Sequence, residues 1–189
     1  MTQKTVSILG LLGSPRRNGN TETIAREMLR GAESAGAVSE TVFLPELTIR
    51  PCLGCEHCIQ HGACIHDDDL RAVVEKLQTA DIWVFGTPVY FFGPSSQFKS
   101  FLDRWVGIPK ETYAGKAAAY VVPLGAGSPE IAASTIDILE RSMRLRGLRD
   151  LGGIVAPGLM DADEAKQDAE LLTRTFDFGR TLLVDERTQ

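Results

Sequence analysis

Short apolar runs alternate with amphipathic segments along the chain, and this alternation constrains the fold more than any other sequence feature. The predicted strands are residues 6–12, 40–44, 81–89, 116–123 and 148–155. The most continuous runs, at 6–12 and 82–85, are typical of strands that are buried on both faces of a parallel sheet. The pattern therefore predicts an α/β protein.

Helical segments are predicted between and after these strands, at residues 21–35, 67–79, 95–105, 129–145 and 161–183. Because strand–helix alternation favours right-handed crossovers, few topologies are possible. We expect a three-layer αβα sandwich with a five-stranded parallel sheet in the order 2-1-3-4-5. One domain is predicted over residues 1–189, with a cysteine-rich insert at 51–66. Ligands of such sheets bind at the carboxyl ends of the strands, so the loops after strands one, three and four are candidate sites.

Composition narrows the class of partner. The chain carries 20 Lys and Arg against 25 Asp and Glu, a net charge of −5, which argues against a nucleic-acid binder. The absence of an apolar run of ~20 residues argues against a membrane span. The first apolar run is short and leads into a Gly-Ser-Pro-Arg loop, which fits a first strand better than a signal peptide. We therefore expect a cytoplasmic protein.

The loop after the first strand has the composition of a phosphate cradle. Its side chains offer hydroxyl and amide donors and one guanidinium, and a helix N-terminus follows directly. The candidate phosphate ligands are Ser14, Arg16, Asn18, Asn20 and Thr21. The loop is neither a P-loop nor a G-x-G-x-x-G fingerprint. The alternative is a polar turn that only caps the helix.

Two further loops at the same edge of the predicted sheet can contact a flat ring. Residues 87–94 include three aromatic side chains, on which such a ring could stack. Residues 124–128 are small and could approach the ring through backbone N–H groups. The alternative for the aromatic loop is a plug over the end of the sheet, or an oligomer contact.

The motifs in these loops resemble the NADPH-dependent FMN reductase superfamily of flavodoxin-like proteins. They are Gly-Ser-Pro-Arg with Gly-Asn-Thr, then Thr-Pro-Val-Tyr followed by Lys99 and Asp103-Arg104. The resemblance implies that the first loop holds the FMN phosphate. It also implies ring contacts from Pro88, Val89, Tyr90, Phe91, Gly125, Ala126, Gly127 and Ser128. Lys99 and Arg104 are expected on a solvated or interface face, or in contact with the flavin. No residue is predicted to be a catalytic acid or base.

All four cysteines lie in one short segment with the spacing C-x2-C-x2-C-x5-C: Cys52, Cys55, Cys58 and Cys64. A secreted disulfide protein would distribute its cysteines along the chain. Four thiols match the ligand set of a 4Fe–4S cluster, and also that of structural zinc. Free thiols or a redox disulfide are the remaining alternatives. His57, His61 and His66 share the segment but are not predicted as ligands.

This segment resembles that of the iron–sulfur flavoproteins, a branch of the same superfamily, and the resemblance implies a 4Fe–4S cluster near FMN. We therefore expect an FMN-dependent oxidoreductase that passes electrons between the cluster or NAD(P)H and an acceptor. The alternatives are a cluster-free NAD(P)H-dependent FMN, quinone or azo-compound reductase, and a non-catalytic flavin electron carrier. The expected partner is a small molecule or a redox protein. The resemblance also implies a homodimer or homotetramer.

Overall fold

A computed structural model describes residues 5–183, and within them five parallel strands form one sheet. The strands are β1 (Ser7–Leu12), β2 (Val38–Phe43), β3 (Ile82–Gly86), β4 (Ala117–Pro123) and β5 (Arg149–Ala156). Their order is β2-β1-β3-β4-β5, which confirms the predicted flavodoxin-like topology. β1 lies between β2 and β3, and Leu9 is opposite Glu40 on β2 and Trp83 on β3. The ends of the predicted domain, residues 1–4 and 184–189, lie outside the described residues.

Helices cover both faces of this sheet. They are α1 (Asn20–Ser34), α2 (His57–His61), α3 (Leu70–Thr79), α4 (Ser96–Asp103), α5 (Ala133–Arg146), α6 (Glu164–Gln167) and α7 (Ala169–Thr181). Short 3₁₀ turns lie at Leu44–Glu46, Arg104–Gly107, Lys110–Tyr113 and Pro129–Ala132. None of the helices within residues 5–183 combines the length and hydrophobicity that a membrane span needs.

Alternating side chains of the strands build two separate cores. Leu9, Trp83 and Phe85 pack on one face with α3 and α4, whereas Ile8 and Val84 pack on the other with α1 and α7. Successive residues of a strand point to opposite faces, so one apolar strand supplies both cores. This double burial explains why the strands are apolar almost throughout.

The third strand ends earlier than predicted. β3 stops at Gly86, and Thr87 still donates its N–H to Val121 O at 3.0 Å. Pro88 has no N–H to continue the ladder. Val89–Tyr90 instead pairs antiparallel with Gly93–Pro94 in a small aromatic hairpin at the edge of the sheet.

The prediction of one continuous final helix over residues 161–183 is wrong. The structure breaks it between α6 and α7 at Asp168, whose backbone is non-helical (φ −92°, ψ 86°). Asp168 Oδ1 accepts the N–H of Leu171 at 2.9 Å and so caps α7. An aspartate within a helical pattern is the signal that could have located this break.

Candidate functional site

The loops after β1, β3 and β4 converge on one pocket at the carboxyl ends of the strands. Its volume is about 230 Å³. The predicted residues that line it are Ser14, Arg16, Asn20, Thr21, Pro88, Val89, Tyr90 and Gly125. The sheet topology therefore brings together residues that are more than 100 positions apart in sequence, as ligand binding at a switch point requires.

One end of this pocket is suited to an anion. Ser14 and Thr21 are buried beside the start of α1, and the N-terminus of that helix has no side-chain cap. Arg16 is exposed and forms no ion pair with any residue of 5–183. Its N–H donates to Ser14 Oγ at 3.2 Å, which shapes the loop. An unpaired guanidinium beside uncapped helix N–H groups fits a phosphate.

The amide of Asn20 forms hydrogen bonds to the chain beyond β5. Asn20 Nδ2 donates to Asp161 O at 2.7 Å and to Leu159 O at 3.3 Å, and its Oδ1 accepts the Ala165 N–H at 3.0 Å. These bonds fix the segment after β5 against α1. In this structure Asn20 therefore positions one wall of the pocket, and its predicted bond to phosphate stays a prediction.

Asn18 is not among the residues that line the pocket. Its backbone has a positive φ of 55°, which asparagine tolerates better than most residues, and its N–H donates to Glu22 Oε2 at 2.6 Å. Asn18 therefore shapes the turn before α1.

The aromatic hairpin supplies a second wall. Pro88, Val89 and Tyr90 line the pocket, whereas the side chain of Phe91 is 98% exposed and lies outside its lining. Buried Ser95 anchors the hairpin, because its Oγ donates to Gly13 O at 2.6 Å and its N–H donates to Thr87 Oγ1 at 3.0 Å. The first and second loops are thus held together independently of any ligand.

The third loop contributes less than predicted, and a fourth segment contributes more. Gly125 lines the pocket, whereas Ala126, Gly127 and Ser128 do not. Leu124, also in the predicted third loop, lines the pocket as well, and the unpredicted lining residues are Pro123, Leu159, Met160 and Ala162. A Cβ on Gly125 would lie 2.9 Å from Met160 Sδ, so glycine permits this close approach. The topology could have indicated the residues after β5, because the carboxyl end of β5 lies on the same edge of the sheet as those of the other strands.

The four cysteines line a second cavity, also of about 230 Å³. All four are free thiols: Cys52 and Cys55 are exposed, and Cys58 and Cys64 are partly buried. Cys58 lies on α2, a short helix that the sequence did not predict. Within residues 5–183 no three His, Cys, Asp or Glu side chains converge closely enough for a single metal ion. The four thiols nevertheless line one cavity, and four thiolates are the ligand number of a 4Fe–4S cluster and of structural zinc.

Gly107 forms the base of this cysteine cavity. A Cβ at that position would lie 3.3 Å from Cys58 Cβ and 3.4 Å from Cys64 Cβ. A larger residue would push these two cysteines outward. The absence of a side chain at Gly107 therefore keeps space beside Cys58 and Cys64 in the cysteine cavity.

The histidines of the segment form hydrogen bonds within it. The ring nitrogens lie close to backbone carbonyls: His57 Nδ1 to Ala63 O at 3.1 Å, His61 Nδ1 to His57 O at 3.0 Å and His66 Nε2 to Pro51 O at 3.1 Å. The rings of His57 and His61 are also stacked, with centroids 4.1 Å apart. These contacts shape the segment, and the omission of the histidines from the ligand set stays a prediction.

Arg104 lies beneath the cysteine segment, where it also lines the cysteine cavity. Its side chain is 2% exposed and forms an ion pair with Asp68, Nη1 to Oδ2, at 2.8 Å. Burial lowers the pKa of Arg104, but the Asp68 carboxylate and the Cys64 thiol outweigh burial, so the pKa is raised. Burial likewise raises the pKa of Asp68, whereas hydrogen bonds from Arg104 and the Arg50 backbone lower it, and the net pKa is lowered.

The solvated or interface face expected for Arg104 is therefore wrong, since the side chain is buried and pairs with a carboxylate 36 residues earlier. Its flavin contact stays a prediction, and Arg104 is not among the residues that line the first pocket. Lys99 fits its solvated alternative, because it is half-exposed and pairs with Asp103 at 2.5 Å. The sequence gives no local signal for the Arg104–Asp68 pair, which forms only when the 3₁₀ turn after α4 meets the segment before α3.

A doubly wound sheet with a polar cradle and an aromatic wall at its switch point defines a flavodoxin-like nucleotide-binding protein. The comparison with protein families is more specific. The NADPH-dependent FMN reductase family model matches residues 6–151, and the chain belongs to that family. The superfamily predicted from the loop motifs is thereby confirmed.

Curated relatives include iron–sulfur flavoproteins. The chain is 37% identical to iron–sulfur flavoprotein MJ1083 of Methanocaldococcus jannaschii over 99 residues, 52% of this chain and 51% of the relative. It is 29% identical to an iron–sulfur flavoprotein of Archaeoglobus fulgidus over 85% of this chain and 72% of the relative. The MJ1083 match thus spans about half of that protein. These relatives confirm the predicted likeness to the iron–sulfur branch.

A solved structure described as an NAD(P)H:quinone oxidoreductase from Methanothermobacter marburgensis supports the fold. It superimposes with a TM-score of 0.75 at 20% identity, over 95% of this chain and 96% of that protein. At this identity the likeness concerns the fold alone.

Proposed function

We propose that this protein is an FMN-dependent oxidoreductase of the iron–sulfur flavoprotein type. The observation that carries the proposal is the cavity lined by all four cysteines, with Gly107 at its base, in a chain of the FMN reductase family. The iron–sulfur flavoproteins among the curated relatives also support it. Free thiols in an exposed segment also favour a reducing, cytoplasmic compartment.

The first pocket is the proposed FMN site. Arg16 and the uncapped N-terminus of α1 would bind the phosphate, with Ser14 and Thr21 as buried donors. Pro88, Val89 and Tyr90 would lie along the ring system. Bound FMN supplies hydride and single-electron chemistry, while the protein fixes its position and its electrostatic environment. Asn18, Asn20, Phe91 and residues 126–128 stay proposed contacts, which a moved side chain or a second subunit would have to complete.

The cysteine cavity is the proposed 4Fe–4S site, with Cys52, Cys55, Cys58 and Cys64 as ligands. Such a cluster exchanges single electrons. The electron donor would be NAD(P)H or a redox protein, and the acceptor a small molecule or a protein. The exposed hairpin side chains Phe91 and Phe92 favour a homodimer or homotetramer, because large exposed apolar side chains often mark an interface.

Anaerobic purification followed by an iron, sulfide and flavin assay tests this proposal. We expect about four irons and about one FMN per chain, with broad absorption beneath the flavin bands. The matched variant Cys58→Ser should lose iron and keep FMN, because Cys58 lines only the cysteine cavity. Flavin without iron in the wild-type protein would contradict the proposal.

A cluster-free NAD(P)H-dependent reductase of FMN, quinones or azo compounds is the second candidate. The observation that favours it is the match of the NADPH-dependent FMN reductase family model to residues 6–151. It predicts that NADPH or NADH bleaches the flavin fully in the iron-free Cys58→Ser variant. If neither nucleotide bleaches the flavin in that variant, the result would favour a redox protein as the donor, or a non-catalytic flavin carrier.

A further inference from the structure

The buried guanidinium of Arg104 has hydrogen-bonding capacity that the protein does not use. Nη1 donates to Asp68 Oδ2 and to Arg50 O, each at 2.8 Å, and Nη2 donates to Asp68 Oδ1 at 3.3 Å. Nε is buried and has no acceptor among the described residues. Unsatisfied buried donors are rare in folded proteins, so this N–H calls for a further acceptor near the Cys64 thiol, whose interaction with the guanidinium helps to raise the pKa of Arg104.

The position of Arg104 indicates which acceptor that is. Arg104 and Gly107 both belong to the 3₁₀ turn after α4, and both line the cysteine cavity together with Cys64. The turn therefore places the positive charge of Arg104 and the glycine at 107, which has no side chain, on the lining of the same cavity. Since arginine stays ionised in proteins, this charge is present in every state of the site.

The carboxylate of Asp68 joins the two ends of the cysteine segment. Asp68 Oδ2 accepts the Arg50 N–H at 3.0 Å, and its Oδ1 accepts the Leu70 N–H at 3.3 Å. Arg104 in turn donates to the carbonyl of Arg50. Residues 51–66 are thus a loop closed at its base by one buried ion pair.

We infer that Arg104 is a positioning residue for the cluster site: its charge favours the reduced cluster, and its ion pair with Asp68 closes the cysteine segment. The inference rests on the proposed function. A cluster held by four thiolates is anionic and gains one negative charge on reduction. A nearby buried cation stabilises the more negative state more strongly, so Arg104 raises the reduction potential.

A redox titration of anaerobically purified protein, monitored by the absorption of the cluster, tests this inference. Arg104→Gln should lower the potential enough to change the oxidised-to-reduced ratio at least tenfold at fixed solution potential, about 59 mV for one electron. Asp68→Asn leaves the guanidinium without its counter-charge and should shift the potential upward. Arg104→Lys keeps the charge and should lie between wild type and Arg104→Gln. Lys99→Gln, which removes one exposed positive charge from α4, is the matched control and should not shift it.

Opposite shifts in Arg104→Gln and Asp68→Asn support the inference, because a purely structural role would not change sign with charge. If Arg104→Gln loses iron, retention of iron by Arg104→Lys supports a requirement for the charge. Unchanged potentials, or equal iron loss in all three variants with FMN retained, would overturn the inference. A wild-type protein without iron would overturn the proposed function itself, which separates the two failures.

Discussion

Arg16 and Arg17 are adjacent in the first loop, but their side chains have different surroundings. Arg17 Nε pairs with Glu46 Oε1 at 2.5 Å, and its guanidinium lies 3.4 Å above the ring centre of Phe43. Arg16 lines the pocket and has no ion pair within residues 5–183. Only Arg16 is therefore available to a phosphate.

We predict that Arg16→Gln weakens FMN binding at least tenfold, since a hydrogen bond to a charged group contributes about 1.5–3 kcal/mol. Riboflavin, which has no phosphate, should bind both proteins equally. Fluorescence titration of the apoprotein measures both affinities. Arg17→Gln, the neighbouring control, should bind FMN as the wild type does. An equal loss for FMN and riboflavin in Arg16→Gln would place Arg16 away from the phosphate.

The ion pair of Asp68 also predicts a pH dependence. The pKa of Asp68 is lowered in the folded protein, so its contribution to stability is present above the unfolded value of 3.8 and is lost as pH falls through the lowered value. The Tm values of wild type and Asp68→Asn, measured by thermal unfolding, should therefore differ most near neutral pH and become equal in acid. A difference in Tm that stays constant down to about pH 2 would contradict the assignment.

At the scale of elements, α1 and α7 cross with their backbones in contact through two glycines. A Cβ on Gly31 would lie 2.0 Å from Phe176 O, and one on Gly179 would lie 2.0 Å from Met28 O. Neither distance is tolerable for a real side chain. Helix α7 can therefore pack against α1 only with glycine at both positions.

Gly179→Ala should destabilise the protein by at least about 3 kcal/mol, because the added methyl group overlaps backbone that cannot move aside. Chemical denaturation measures this loss. Gly93→Ala, where the nearest atom to an added Cβ is at 3.9 Å, should change stability by no more than about 0.5 kcal/mol. Stabilisation by Gly179→Ala, which helix propensity alone would give, would contradict the close crossing.

Sequence patterns were sufficient for the elements that pack on both faces of the sheet. The strand order and the main helices follow from apolar runs and their alternation. The break at Asp168 and the end of β3 before Pro88 were missed, because single polar or proline residues act locally against a broader pattern. The short helix around Cys58 was also missed, since five residues carry too little periodicity.

At the scale of the whole molecule, the two cavities differ in how far sequence could define them. Local motifs singled out eight of the residues that line the first pocket, and they singled out the four cysteines that line the second cavity. The Arg104–Asp68 pair, and the contact of Met160 with the first pocket, depend on segments that meet only in the folded chain. No local sequence pattern therefore predicts them. The hydrogen bonds of the Asn20 side chain were not predicted for the same reason, since its partners lie about 140 residues later.

A reductive titration tests most directly whether one chain binds both FMN and a four-iron cluster, as we propose. Anaerobic protein is titrated with dithionite while the flavin absorption is recorded. We expect about three electron equivalents per FMN in the wild type, two for the flavin and one for the cluster. Cys58→Ser should take up about two, the flavin's share alone. Two equivalents in the iron-assayed wild type, equal to the variant, would contradict the account.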